Sequence, residues 1–286
     1  MAKETRKKLS KRIIALIVCG VFILCLAIIA FGLQIAFWVS DGIRCIQPDY
    51  EMIDLDGYLD GEITDEDYEV LYRQTGLTKI GIDRALEKGE TGKKLIKKIQ
   101  ADFFEPHTVM NGQVAPYACT DYIETHISNI YLEDGDIIVT SSTHISSVRI
   151  GHAGLVTNGS LEKVLQANAY GTYSRIGNIW DFTDRVNFLI LRPDPEKISS
   201  GVVKNVVEYA QSSLVGIPYE GLAGVVTNKN NIERTQCAHI IWYAYKQFGI
   251  DLDSNGGSMV VPYDLANSAY LQPVQVFGFD LDELWR

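Results

Sequence analysis

The chain has 286 residues and a net charge of −10, with 47% hydrophobic and 22% charged residues, which is ordinary for a folded protein. The charge is uneven: residues 1–12 carry about +5, so the rest of the chain sums to about −15. A body this acidic argues against a nucleic-acid partner, because phosphate binding needs a basic surface.

An uncharged apolar run occupies residues 13–39, "IIALIVCGVFILCLAIIAFGLQIAFWV". Spanning a bilayer takes about 20 apolar residues, and this run is longer than the apolar core of a cleaved signal peptide. We therefore expect a transmembrane signal anchor at 13–39, a basic cytoplasmic tail at 1–12 and Trp38 at the outer interface. A cleaved signal peptide is the alternative. The anchor predicts a single-pass protein of the cell membrane, and in both cases the acidic body lies outside the cytoplasm.

The next segment, residues 40–108, is acidic and carries three helix signals. Thr64 precedes an acidic first turn and Gly76 follows the helical pattern, which predicts a helix between them. Two further helices are expected in "IGIDRALEKG" and "TGKKLIKKIQADFF". We interpret 40–108 as an acidic helical spacer between the membrane and a domain at 109–286.

From about residue 128 the pattern becomes that of strands. "GDIIVTSS" at 135–142, a hairpin at 149–171 turning at Asn158-Gly159, and apolar segments at 186–194 and 273–281 predict an antiparallel sheet. Helical spacing follows at 198–216, and a second helix starts at Cys237 and ends near Gly249. The fold class expected is therefore α+β, with helices packed beside a small sheet.

Three cysteines lie beyond the anchor: Cys45, Cys119 and Cys237. An odd number leaves at least one thiol free or paired with another chain. A Cys45–Cys119 disulfide is compatible with this number and leaves Cys237 free. Cys237 itself has three interpretations: core filler, half of a disulfide, or a nucleophile. Its position favours the third, because a helix start stabilises a thiolate and is expected to lower the thiol pKa.

A cysteine nucleophile needs a base and a group that orients the base. His239 follows Cys237 by two residues and therefore faces about 200° away on the same helix, which predicts a packing role. His152 begins the strand "HAGLV", and Gln166 lies on the next strand. A turn at Asn158-Gly159 places these two residues roughly opposite each other on strands about 5 Å apart, close enough for Gln166 to hold the imidazole. The alternative is that both are edge residues with solvent partners.

The segments "GDIIVT", "RIGHAGLV", "KVLQANA", "RTQCAHIIWYAY" and "VPYDLANSAYLQPV" together resemble the permuted branch of the NlpC-type papain-like cysteine hydrolases, close to the YiiX-like proteins. The resemblance covers about residues 128–279, and it is to the permuted branch because histidine precedes cysteine. It implies a permuted papain-like fold with a weaker likeness in the helical leader.

Carried over residue by residue, the resemblance makes Cys237 the nucleophile, His152 the general base and acid, and Gln166 the third site residue. Many relatives have Glu or His at that third position, so Gln166 is a departure, and Asn168 is the alternative. Tyr219 is expected to line the substrate cleft. The mechanism implied needs no metal and no organic cofactor.

These roles imply an enzyme, a cysteine peptidase or amidase, in which a thiolate attacks a carbonyl and forms an acyl-enzyme. The anchor and the resemblance favour an amide bond in the stem peptides of a bacterial cell wall. A lipid amidase or acyltransferase acting on an acyl amide is the second hypothesis. The third is a catalytically weak, membrane-anchored interaction module, for which Gln166 would be the sign of a decayed site.

Overall fold

A computed structural model describes residues 11–39, 45–115, 118–145 and 148–285. The helices are α1 (Lys11–Val39), α2 (Asp56–Leu59), α3 (Asp65–Thr75), α4 (Lys79–Leu86), α5 (Glu90–Phe104), α6 (Trp180–Thr183), α7 (Ser200–Ser213), α8 (Cys237–Lys246) and α9 (Pro262–Ala266). The strands are β1 (Val109–Ala115), β2 (Ala118–Ile123), β3 (Ile137–Thr140), β4 (Thr143–Ile145), β5 (Val148–Arg149), β6 (His152–Asn158), β7 (Lys163–Gln166), β8 (Arg175–Asn178), β9 (Phe188–Pro193) and β10 (Leu271–Phe277).

The first helix, α1, has 29 residues and so spans about 44 Å at 1.5 Å per residue. Its Lys11–Gly32 portion is long and apolar enough to cross a membrane, a property that it shares with signal sequences. Residues 1–10 of the predicted basic tail, and the side chain of Trp38, lie outside the described residues. The orientation of α1 therefore stays a prediction.

Of the described residues, 45–115, 118–144 and 149–285 form one compact unit, and 11–39 with 145 and 148 are assigned to another. The larger unit contains a six-stranded antiparallel sheet in the order β10-β9-β3-β6-β7-β8. The predicted strands and the α+β class are thus confirmed at this level. A second antiparallel sheet, in the order β1-β2-β4-β5, was not predicted from the sequence, because its strands mix polar with apolar residues.

Two apolar layers cover the faces of the main sheet. One layer joins Ala153 and Leu155 of β6 to α7 and α8. The other contains Val156 and Val164 together with Phe182 of α6. Successive residues of a strand point to opposite faces, so His152 lies on the Val156 side of β6, away from α8.

The helical segment is not a separate spacer in this structure. Helices α3, α4 and α5 share a buried cluster of their own, and the chain after α3 bonds to β10: Val276 N donates to Gly76 O at 2.8 Å, and Thr78 N donates to Val274 O at 3.0 Å. Thr64 caps α3 in a capping box and Gly76 ends it with φ 69°, so both predicted helix signals are confirmed. The backbone hydrogen bonds make this segment part of the same compact unit as the sheet.

The predicted hairpin is present, but its register differs from the expected one. Leu155 pairs with Leu165 and Val156 with Val164, and the turn occupies residues 159–162 after an irregularity near Asn158. Because the turn is longer than expected, β7 is shifted by two residues along β6 relative to the predicted pairing. If the observed register is continued, Gln166 lies across from Gly154 and only diagonal to His152. The expectation of directly opposite residues was therefore wrong, although a glutamine side chain is long enough to span the diagonal.

Candidate active site

Cys237 begins α8, as the sequence predicts, and Gln236 is the N-cap. The Gln236 side chain accepts a hydrogen bond from Ala238 N at 2.8 Å and lies 3.4 Å from the Cys237 sulfur, which donates to the same oxygen. Its amide nitrogen donates to Val260 O, which fixes the side chain from the other end. The apolar residues that follow, such as Ile240 and Ile241, are fully buried, so the helix start is held rigidly against the sheet.

The sulfur of Cys237 lies at the edge of β6, next to the peptide that follows His152. Val156 N donates to the carbonyl oxygen of Asp136, the residue just before β3, so the N–H of Val156 points toward β3. In an antiparallel strand, the N–H groups of successive residues point toward opposite neighbouring strands, and the Ala153 N–H therefore points away from β3. Strand β7 ends at Gln166 and does not reach this position. The Ala153 N–H is instead one of the backbone groups near enough to the Cys237 thiol to lower its pKa, and Ala153 directly follows the base candidate His152.

The expected low thiol pKa is not what the structure gives. Burial raises the pKa of Cys237 to about 11, and the backbone N–H groups of Ala153, Ala238 and Cys237 lower it only in part. The side chain is 8% exposed, so the desolvation of a thiolate outweighs the favourable helix start. The resting group is therefore a neutral thiol, surrounded by three backbone donors.

His152 is half-buried, and its ring is held on two sides. Its Nε2 lies 3.1 Å from Gln166 Oε1, and the ring stacks on Phe182 with centroids 4.9 Å apart and planes 5° from parallel. Burial lowers the pKa of His152 to about 4, while the hydrogen bonds of the ring to Gln166 and Asn168 raise it in part. The imidazole is therefore neutral at pH 7. The structure thus brings His152, Gln166 and the alternative residue Asn168 together.

Among the described residues, no hydrogen bond joins the thiol of Cys237 to the imidazole of His152. The ring lies on the Phe182 side of β6, whereas Cys237 belongs to the apolar layer on the other face, with Ala153 and Leu155. Catalytic hydrogen bonds of ligand-free enzymes commonly tighten only when substrate binds.

Behind Gln166 lies an acid that the sequence reasoning missed. The Gln166 side chain is fully buried, and its Nε2 donates to Asp181 Oδ2 on α6. Arg175 Nη2 bonds to the same carboxylate at 3.0 Å. No spacing signal links residues 166 and 181, because the contact depends on where α6 folds back onto β7. Gln236 was also missed, although its place directly before the helix marks it as the N-cap.

Tyr219 lies beside the segment that leads into Cys237. It forms a parallel bridge with Thr235, and its ring packs edge-on against Tyr170 at 5.3 Å. This position is compatible with the predicted place at the cleft. His239 is fully buried and bonds to Thr235 Oγ1 at 3.0 Å and to Lys229 O at 2.8 Å, so its predicted packing role is confirmed.

Cys45, Cys119 and Cys237 are all free thiols, so the Cys45–Cys119 disulfide is not formed in this structure. A cavity of about 760 Å³, lined by Tyr122, His126 and Trp180 among others, includes neither Cys237 nor His152. In the part of the chain that the structure describes, no three His, Cys, Asp or Glu side chains gather as metal ligands.

None of the family models, curated proteins and solved structures with which the chain was compared matches it.

Proposed function

We propose that the chain is a membrane-anchored cysteine hydrolase that cleaves an amide bond, with Cys237 as nucleophile, His152 as general base and acid, and Gln166 as the group that holds the ring. The observation that carries the proposal is the Cys237 thiol at the start of α8, near the Ala153 N–H that directly follows His152, whose ring is hydrogen-bonded to Gln166. A permuted papain-like fold is part of this proposal. The body is proposed to lie outside the cytoplasm, anchored by residues 13–39.

The mechanism follows from the neutral resting pair. His152 takes the thiol proton as the sulfur attacks the carbonyl carbon, so that the S–C bond forms while the carbonyl oxygen becomes an oxyanion. The backbone N–H groups around the sulfur are the nearest donors to that oxygen. The C–N bond then breaks as the imidazolium returns its proton to the leaving amine. Water then attacks the thioester carbon as His152 takes its proton, the S–C bond breaks, and the imidazolium returns the proton to sulfur while the carboxylic acid leaves.

The preferred substrate is the stem peptide of a bacterial cell wall, because an anchored extracytoplasmic domain lies beside that polymer. A specific observation favours the second candidate, a lipid amidase or acyltransferase. Leu222, Val225 and Val226 are 48%, 60% and 59% exposed in the segment just after Tyr219. This segment is tied to the cysteine region, since Glu220 N donates to Thr235 O at 2.7 Å. An apolar surface beside the site suits an acyl chain.

The first experiment measures acylation and alkylation of Cys237 in the full chain in detergent. A chromogenic acyl ester and an alkylating reagent are applied between pH 5 and 10, and modification of the Cys237 peptide is followed by mass spectrometry. We expect a burst of leaving group in the wild type and at least a tenfold loss in His152→Ala. His126→Ala is the matched control, because His126 is exposed and stacks on Trp180 away from the thiol.

Substrates are then separated by product. Release of amine-terminated fragments from purified cell-wall sacculi supports the first candidate, and a Cys237-linked fatty acyl group after exposure to phospholipid vesicles supports the second. A Cys237 that is modified equally in wild type and His152→Ala contradicts both. That result favours the interaction module.

A further inference from the structure

The side-chain amide of Gln166 hydrogen-bonds to two partners, and these partners determine its orientation. One end of its amide faces His152 Nε2 at 3.1 Å and the other faces Asp181 Oδ2. A carboxylate only accepts hydrogen bonds, so the NH₂ end of Gln166 must face Asp181. The carbonyl end therefore faces His152 and also only accepts. The proton of the neutral ring must then be on Nε2, and the lone pair is left on Nδ1.

We infer that Asp181 is a positioning residue: through Gln166 it selects the Nε2–H tautomer of His152 and so leaves Nδ1 as the basic nitrogen. Asp181 does not touch the reacting atoms. The inference rests on the proposed function for its catalytic meaning, since the tautomer matters to catalysis only if His152 is the base.

The backbone of β8 leaves room for the side-chain amide of Gln166. Gly177 on β8 is paired with Val164 on β7, and a Cβ at Gly177 would overlap Gln166 Nε2 and lie 3.0 Å from Asp181 Oδ2. Glycine at this position thus leaves room for the amide and the carboxylate to meet. Arg175 is paired with Gln166 and bonds to the same carboxylate, which keeps Asp181 turned toward the amide.

Asn168 does not impose a tautomer in the same way. It also hydrogen-bonds the ring, but its side chain is exposed and has no carboxylate partner among the described residues. Its amide is therefore free to rotate to suit either tautomer. Without Asp181, Gln166 is equally free to rotate. Its NH₂ end would then face Nε2 and favour the Nδ1–H tautomer, which has no lone pair at Nδ1.

The test reads the tautomer directly. The full chain, labelled with ¹⁵N-histidine, is studied in detergent micelles at pH 7, where burial keeps His152 neutral because its pKa is lowered to about 4. In the wild type we expect the ¹⁵N chemical shift of a protonated ring nitrogen for Nε2 of His152 and that of an unprotonated ring nitrogen for Nδ1. Asp181→Ala should exchange or average the two signals and lower the acylation rate of Cys237 at least tenfold, with little change in KM. Asp184→Ala is the matched control, since it removes an equal charge three residues away.

A charge-swapped double variant supplies the rescue. Gln166→Glu alone places two carboxylates next to each other, which repel. In the double variant Gln166→Glu with Asp181→Asn, the carboxylate at position 166 accepts from Asn at position 181 and again offers an acceptor to Nε2–H of His152, so the wild-type tautomer should be restored. The inference is overturned by an Nδ1–H tautomer in the wild type, or by an unchanged tautomer in folded Asp181→Ala. If the tautomer responds as expected but wild-type Cys237 is never acylated, the proposed function fails and the positioning role stands.

Discussion

The neutral, half-buried imidazole of His152 predicts that the protein loses stability on mild acidification. The pKa of His152 in the folded protein is lowered to about 4 from an ordinary value of 6.5. On acidification the unfolded chain therefore takes up this proton first, so the free energy of unfolding falls as the pH drops from about 6.5 toward 4. The difference corresponds to at most about 3 kcal/mol, at 1.36 kcal/mol per pKa unit, and roughly 2 kcal/mol of it is lost by pH 5.

The perturbation that isolates this contribution is His152→Gln, which keeps a polar side chain and removes the titration. Denaturant unfolding of the full chain in detergent, followed by tryptophan fluorescence at pH 7, 6 and 5, gives the free energy for both proteins. Between pH 7 and 5 the wild type should lose about 2 kcal/mol more than the variant.

The comparison with the variant is needed because other groups titrate in the same range. Burial raises the pKa of Asp136 to about 6 despite its ion pair with Arg192, and a raised carboxyl pKa has the opposite effect on stability. That contribution is present in both proteins and cancels in the difference. Parallel pH profiles for wild type and His152→Gln would refute the argument that His152 is held neutral by burial.

Three further substitutions test the packing around the site and the attachment of the helical segment. Gly177→Ala should displace Gln166 and reduce the Cys237 acylation burst at least tenfold, because the new Cβ overlaps the amide; an unchanged burst contradicts this. Thr64→Ala should lower the free energy of unfolding by about 1 kcal/mol through loss of the α3 cap, measured by denaturation. Gly76→Ala should cost more than about 1 kcal/mol, because φ is 69° and the Cβ overlaps Val276 O; a smaller loss would show that the segment moves without cost.

The sequence was sufficient for features that depend on local chemistry. The Thr64 and Gly76 helix signals, the start of α8 at Cys237 and the strands near His152 and Gln166 all follow from capping, turn and periodicity rules. These rules act over a few residues, so a single sequence carries them.

Features that depend on tertiary packing were not predictable in the same way. The two-residue shift of the hairpin arises because the turn uses residues 159–162 rather than Asn158-Gly159 alone. The Gln166–Asp181 contact depends on the return of α6, and the high thiol pKa of Cys237 depends on how completely it is buried. Helix starts favour thiolates, but the magnitude of desolvation is set by neighbours distant in the sequence.

The environments of the thiol and the imidazole bear on which bond the proposed enzyme cleaves. With pKa values of about 11 for Cys237 and about 4 for His152, the proton rests on sulfur, and in the proposed mechanism it moves to the ring only as the carbonyl is attacked. The imidazolium formed in this way is a stronger acid than an ordinary histidine. Expulsion of an amine from a tetrahedral intermediate needs a proton from such an acid, whereas an alkoxide or thiolate leaving group needs it less. The buried environment of His152 therefore suits amide cleavage better than ester exchange, which favours the amidase proposal over an acyltransferase that starts from an ester.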